Sequence, residues 1–401
     1  MANRTLTKCH SEHKVRGISV RDPSGFALRM TLCQHHLALL ICFITCIPST
    51  TFAWKRHDLM TSFIVQDVSW LSMPIKVTSF EQFLAKAFSK DFTKSDFLNQ
   101  YQLNPKTVIG FKDIKKNVPA STILINYTDE PDWGMDQDLN LSPNLSPNLS
   151  KDQKYMGGYT GPTSQGFRHL YFKKWSMKAP WRTFHVPMRA MGEALKRAQI
   201  FYDLAETAYN VSEPYWAFRF LAWSLHYVQD LGQPYHSSQI LTPSFLSWED
   251  IFHFKQFVAR TTQIIANYHY LYEDYAVYRL KKEISGKLER KFISALQGAD
   301  FMSSSSAFLI AKHAADFSNR HSTTIGNLCY AYFGRSFLDP SIDLPRSPKA
   351  HYPIETIEKE SRLTAKEKKI FLETTTKNLK KTAYYSRSLI QLAREEFLKG
   401  F

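Results

Sequence analysis

Two stretches of this sequence place a histidine four residues before a carboxylate: His226 with Asp230, and His269 with Glu273. Residues four apart share one face of an α-helix, so each pair presents an imidazole and a carboxylate side by side. The first pair continues the row Phe218, Ala222, His226, Asp230, which is the apolar stripe of its helix. Val258, Ile265 and Tyr272 mark the apolar side along which His269 and Glu273 lie. A carboxylate on an inward stripe is costly unless it is paired or binds a metal ion. Gly232 and Pro234 then end or kink the first helix and bring His236 around by a turn. A single such pair is an ordinary helix contact, but facing helices that each send a histidine and a carboxylate inward build metal sites in bundle cores. Nitrogen and oxygen donors without thiolate suit zinc in open, catalytic sites rather than closed structural ones.

The elements that must position these residues read as helices. Apolar residues recur mostly at helical spacing and period-2 runs are scarce, so the expected class is all-α, a single multi-helix domain. Residues 188–209 and 212–231 read as amphipathic helices, the second with Ser212 as N-cap and Pro214 in its first turn. A third helix is expected from about Ser247 to Lys282, with further helices over 286–333 and 363–400 and a C-terminal helical extension from about 335. Residues 104–128 are the nearest thing to strand or loop material. Residues 136–166 carry a tandem Asn-Leu-Ser-Pro repeat among Pro and Gly and read as one long, polar, exposed loop insertion.

Composition sets the frame around these elements. The chain has 401 residues, 44% hydrophobic and 22% charged, which excludes disordered and collagen-like classes and allows a sizeable core. With 51 Lys+Arg against 36 Asp+Glu its net charge is +15, a balance that favours anionic partners. Four of the five cysteines fall in the first 46 residues. There Leu37–Ile47 is an apolar run too short to span a bilayer, followed by small residues with Thr51 and Ala53 at the positions a signal peptidase reads. Residues 1–53 are therefore expected to be a leader and secretory signal, with Met30 as the working start and a retained anchor as the competing reading. Without them the charge is 45 basic against 34 acidic, or +11, and one cysteine remains. The expected location is secreted or periplasmic. An exported protein with no disulfide must be held by its core, by metal, or by both.

The segment HYVQDLGQPYH, 226–236, resembles the zinc-ligand segment of the bacterial phospholipase C and single-strand nuclease superfamily. Members of that superfamily are all-α and bind three zinc ions in a cleft. Their mature chains begin with a tryptophan whose amine and carbonyl bind zinc, and Trp54 follows the expected cleavage site directly. By the same resemblance His57 is the histidine shortly after that tryptophan. His169, in RHLYF, is the upstream histidine, and Asp132, in EPDWGMD, is the upstream aspartate, with Asp129 as its rival. The wide interval between Asp132 and His169 is taken up by the repeat loop. The resemblance thus implies a trinuclear zinc cleft in residues 54–401. Asp132, His169, His226 and Asp230 hold one ion; Asp230, His57 and Trp54 a second; His236, His269 and Glu273 a third.

The implied chemistry is phosphoester hydrolysis by zinc-activated hydroxide, with Asp132 orienting or deprotonating the attacking water. The implied substrate is phospholipid, at a membrane surface, or single-stranded nucleic acid and 3'-nucleotides. Glu273 resembles the phospholipases, since the nucleases have Asp there, and the absence of disulfides after residue 53 points the same way. Trp133, Tyr171, Phe172, Tyr235, Tyr268 and Tyr270 supply aromatic rings that could cage a choline cation or stack a base. A monomer is expected. A non-catalytic zinc protein whose basic C-terminal helix binds membranes or partners is the reading from a different class, set against a merely solvated helix face.

Overall fold

The structure, a computed structural model, describes residues 56–104, 107, 109, 115–136, 164–178, 183–240, 245, 254–344, 354–360 and 363–398. The expected signal segment and Trp54 lie outside the described residues, as does most of the repeat loop. The chain is mostly helical, as its periodicity implies. In order, the elements are α1 (His57–Ile64), β1 (Pro74–Lys76), α2 (Phe80–Ala87), α3 (Lys94–Gln100), β2 (Asn117–Pro119), α4 (Ala120–Tyr127), α5 (Ser164–His169), β3 (Phe172–Lys178) and β4 (Thr183–Met191). The longer helices follow: α6 (Ala194–Asn210), α7 (Pro214–Leu231), α8 (Pro234–Ser237), α9 (Phe254–Ile284), α10 (Lys291–Gln297), α11 (Ala307–Phe333), α12 (Ile354–Glu360) and α13 (Ala365–Phe397).

Helix α7 is the axis of the packing. Every residue from Tyr215 to Leu231 is buried, because α4, α6, α11 and α13 all pack against it. This changes the reading of its histidine and aspartate: α7 has no solvent face at all, so the apolar stripe marks one buried side among several. Pro214 occupies the first turn as expected, since its missing N–H is one of the helix's orphan donors in any case. Ser212 is not the cap. It sits at φ 58°, and Glu213 stands at the N-cap position. The Glu213 carboxylate instead accepts from Thr78 Oγ1 at 2.7 Å and pairs with Lys86. Capping boxes form elsewhere, Ser79 with Gln82, Thr93 with Asp96 and Thr364 with Glu367, and Ser306 caps α11 by accepting from the Leu309 N–H alone.

Three expected boundaries move. Residues 188–191 belong to strand β4, which pairs antiparallel with β3 and leaves α6 to begin at Ala194. Gly192 makes the break: at φ 105° it approaches Leu170 so closely that a Cβ would lie 2.0 Å from the Leu170 carbonyl oxygen. Residues 120–127, expected as strand or loop, form helix α4 after the short β1–β2 pairing of Ile75 with Val118. Of the loop insertion expected over 136–166 only the ends are described: Asp136 is wholly buried, and residues 164–166 belong to α5. The segment from 335 is no appendage to the fold. Phe371, Leu379, Ala383, Leu389, Ala393 and Phe397 of α13 are buried, and the helix packs on α6, α7, α10 and α11. Among the described residues no helix is long and apolar enough to cross a membrane.

Candidate metal centre

The buried end of α7 faces α1, the turn after α4, and the end of α5. These elements bring His57, Asp132, His169, His226 and Asp230 together. Asp230 stands at the middle and divides its two oxygens. Oδ2 lies 2.9 Å from His169 Nδ1 and 3.3 Å from His226 Nε2, whereas Oδ1 lies 3.3 Å from His57 Nε2. Asp132 Oδ1 lies 3.6 Å from His169 Nδ1 and 3.7 Å from His226 Nε2, with its side chain 22% exposed at the rim. The second group forms where α8 meets α9. His269 Nε2 lies 2.7 Å and His236 Nε2 3.8 Å from Glu273 Oε1. Within each of the sets His57–Asp132–His226, His169–His226–Asp230 and His236–His269–Glu273, the ligand atoms lie within 4.8 Å of one another.

What makes these contacts a candidate metal centre is the outer side of each ring. His226 Nδ1 donates to the Thr128 carbonyl at 2.8 Å, and a carbonyl can only accept, so Nε2 points its lone pair inward. His236 is fixed the same way by the His169 carbonyl, 2.6 Å from Nδ1. His57 Nδ1 meets Gln229 Oε1 at 2.8 Å. Gln229 is itself oriented, because its Nε2 donates to Thr61 Oγ1 at 2.9 Å, Thr61 donates to Thr128 Oγ1 at 3.3 Å, and Thr128 donates to the Leu124 carbonyl. That chain makes Oε1 the acceptor and leaves the His57 Nε2 lone pair facing Asp230. His169 turns its other nitrogen outward, with Nε2 3.3 Å from Asp136 Oδ2, an ion-pair distance without hydrogen-bond geometry. Its Nδ1 then confronts His226 Nε2 at 2.9 Å. Two lone pairs and a carboxylate oxygen at these separations repel unless a cation, either protons or a metal ion, lies among them. Metal-ligating histidines anchored by a second partner show this arrangement.

Electrostatics agree with a site poised for cations. Burial opposes charge on His57, but Asp230, Asp132 and Asp129 outweigh it and hold the ring's pKa up to about 9. His169 is held up to about 10, burial again being outweighed by Asp136, Asp230 and Asp132. Burial lowers His226, with Asp230 pulling the other way. Asp230 is buried yet held well below the usual carboxylate range by the surrounding imidazoles. Glu273 is lowered too, because His269 and His236 more than offset its burial. Asp129, the rival of Asp132, accepts from the Asp58 backbone N–H at 3.2 Å, and burial raises it to about 6.

The turn bearing Asp132 is clamped on both sides by buried carboxylates that sequence reading did not single out. Glu130 accepts from Arg219 Nε at 2.9 Å and from its Nη2, and from Trp223 Nε1 at 2.6 Å. Asp136 accepts from Arg168 Nη1 at 3.0 Å, from Arg197 Nη2 at 2.8 Å and from the Tyr227 hydroxyl. Gln233 was also missed. It caps α8 by accepting from the Tyr235 N–H and donates from Nε2 to Glu273 Oε1 at 3.1 Å. No spacing rule marks these partners, although an Arg among the apolar residues of 214–231 asks for a buried acid. Of the aromatic rings expected near the site, Tyr235 stacks on His269 at 5.1 Å, while Tyr268 packs against Phe245 and Phe172 is core. Trp133, 51% exposed, is the ring beside Asp132 that faces solvent. No protein-family model and no curated protein matches this chain.

Proposed function

We propose that the chain is a zinc-dependent phosphoester hydrolase of the phospholipase C type, with phospholipid as substrate. The observation that carries this reading is the convergence of ring nitrogens on one carboxylate: His169 Nδ1 and His226 Nε2 are 2.9 Å apart, and both face Asp230 Oδ2. The donor set fits zinc, since imidazoles and carboxylates converge and the remaining cysteine, Cys329, is buried and unliganded by any of them in the three sets. In this reading Asp132, His169, His226 and Asp230 hold one ion, His57 and Asp230 a second with Trp54, and His236, His269 and Glu273 a third. Bound zinc supplies Lewis-acid polarisation of a phosphoryl group and an acidified water.

The protein's own part is to hold the donors still and move a proton. His57, His169, His226 and Asp230 are at most 1% exposed, so their geometry is set by packing and by the anchors behind each ring. Asp132, partly open to solvent, is the group that can take a proton at Oδ1 and release it to water. Glu273 rather than Asp at the third position supports the lipid substrate. Once residues 1–53 are removed, the proposed enzyme acts outside the cytoplasm. Purified protein lacking residues 1–53 should contain about three zinc ions and release phosphocholine from phosphatidylcholine. Release of nucleotides from single-stranded DNA instead would move it to the nuclease and 3'-nucleotidase branch, and fewer than two zinc ions per chain would sink the trinuclear reading.

A further inference from the structure

We infer that Asp136 is the positioning residue for His169, fixing that ring so that it meets the metal centre through Nδ1. The inference deepens the proposed function and rests on it. His57, His226 and His236 are each anchored through Nδ1 and turn Nε2 toward the carboxylates. His169 is reversed: Nε2 lies 3.3 Å from Asp136 Oδ2, and Nδ1 lies 2.9 Å from Asp230 Oδ2. Asp136 is fully buried, and its own position is fixed from three directions by Arg168, Arg197 and the Tyr227 hydroxyl. Arg168 and His169 are successive residues of α5, and a single carboxylate faces both: Oδ1 accepts from Arg168, and Oδ2 stands at ion-pair distance from His169 Nε2. Arg168 is tied in turn to Gln102 Oε1 at 3.1 Å, and Arg197 to the Tyr101 carbonyl at 2.8 Å. Asp136 also lies on the segment that carries Asp132, so fixing it fixes two of the donors that face Asp230. A carboxylate behind a metal-bound imidazole sets the tautomer and raises its basicity.

The test reads the two clusters separately. Asp136→Asn keeps the shape of the side chain and removes its charge. Crystals of the wild type and of the variant, equilibrated with zinc against graded chelator, give the occupancy of each ion by anomalous diffraction at the zinc edge. The expected result is zinc affinity about 10- to 100-fold weaker at His169–His226–Asp230, with the ion at His236–His269–Glu273 unchanged. Equal weakening at both clusters would mean that Asp136 only supports the fold, and no weakening at either would mean that it does not act through His169; either result overturns the inference. Wild-type crystals without zinc at either cluster would overturn the metal centre itself, which is a different outcome. Should Asp136→Asn fail to fold, Asp136→Glu keeps the charge for the two arginines while shifting the carboxylate against His169, and the same ratio of occupancies decides.

Discussion

Asp136 and Asp230 are both wholly buried and both touch His169, yet they are neutralised by different means. Asp136 is matched by two guanidinium groups, which stay charged at any pH the protein meets. Asp230 has imidazoles for company, and these carry charge only when protonated or bound to an ion. Glu130, held by Arg219, belongs with Asp136, and Glu273, beside His236 and His269, belongs with Asp230. The chain therefore keeps two kinds of buried acid, and one of each kind meets the same histidine ring. Those matched by arginine fix the backbone, and those matched by histidine leave room for an exchangeable cation.

The comparison breaks most sharply at Asp230. Asp230→Asn removes the carboxylate shared by two of the proposed ions, so turnover on phosphatidylcholine should fall by about 10³-fold or more, with zinc content lowered by about two ions per chain. Atomic absorption alongside the assay checks both. Asp132→Asn is the next largest effect: zinc is retained while turnover falls by roughly 10²-fold. Unchanged turnover would pass the proton-transfer role to Asp129. Glu130→Gln probes the other class. Breaking its buried pair with Arg219 should cost about 3–5 kcal/mol in denaturant unfolding, with the zinc-to-protein ratio of the folded fraction unchanged.

The smallest effect is in pH, and it separates the classes by sign. In metal-free protein His57 and His169 have pKa values of about 9 and about 10, above their ordinary 6.5. Their contribution to stability is complete below pH 6.5 and is lost as pH rises through 9 to 10. Zinc competes with those protons, so loading at neutral pH should release protons and the dependence should flatten when zinc is bound. Thermal unfolding with and without chelator between pH 6 and pH 10 measures this; identical slopes would show that the two rings do not meet the metal.

The sequence makes the histidine–carboxylate pairs legible because helical spacing is local. His226 with Asp230 and His269 with Glu273 are each brought together by the pitch of a helix, and the structure places His57, Asp132 and His169 beside the first pair. The supporting residues are another matter. Asp136 reaches His169 across a segment of the chain that says nothing about distance, and the Gln229–Thr61–Thr128 chain joins three elements by contacts of long sequence separation. The end of β4, residues 188–191, hid at the start of a stretch read as helical, because Gly192 sets the break through its approach to Leu170 and not through any pattern of its own. Likewise the one-sided stripe read from Phe218 to Asp230 is correct about burial but cannot reveal that the other sides of α7 are covered as well.

Gly232, at the turn between Asp230 and His236, has its own consequence. A Cβ there would lie 2.3 Å from Thr382 Oγ1, so the turn that aims two proposed ligands is closed from behind by α13. Nearby, Asn378 of α13 donates to the Tyr272 hydroxyl at 3.1 Å, beside Glu273. The clustered side chains run from His57 to Glu273, and Thr382, behind Gly232, lies further along the chain still. Such separation makes folding slow, since loop closure must precede the contacts that reward it. It also means that the turn between Asp230 and His236 gains its backing only when α13 packs behind Gly232.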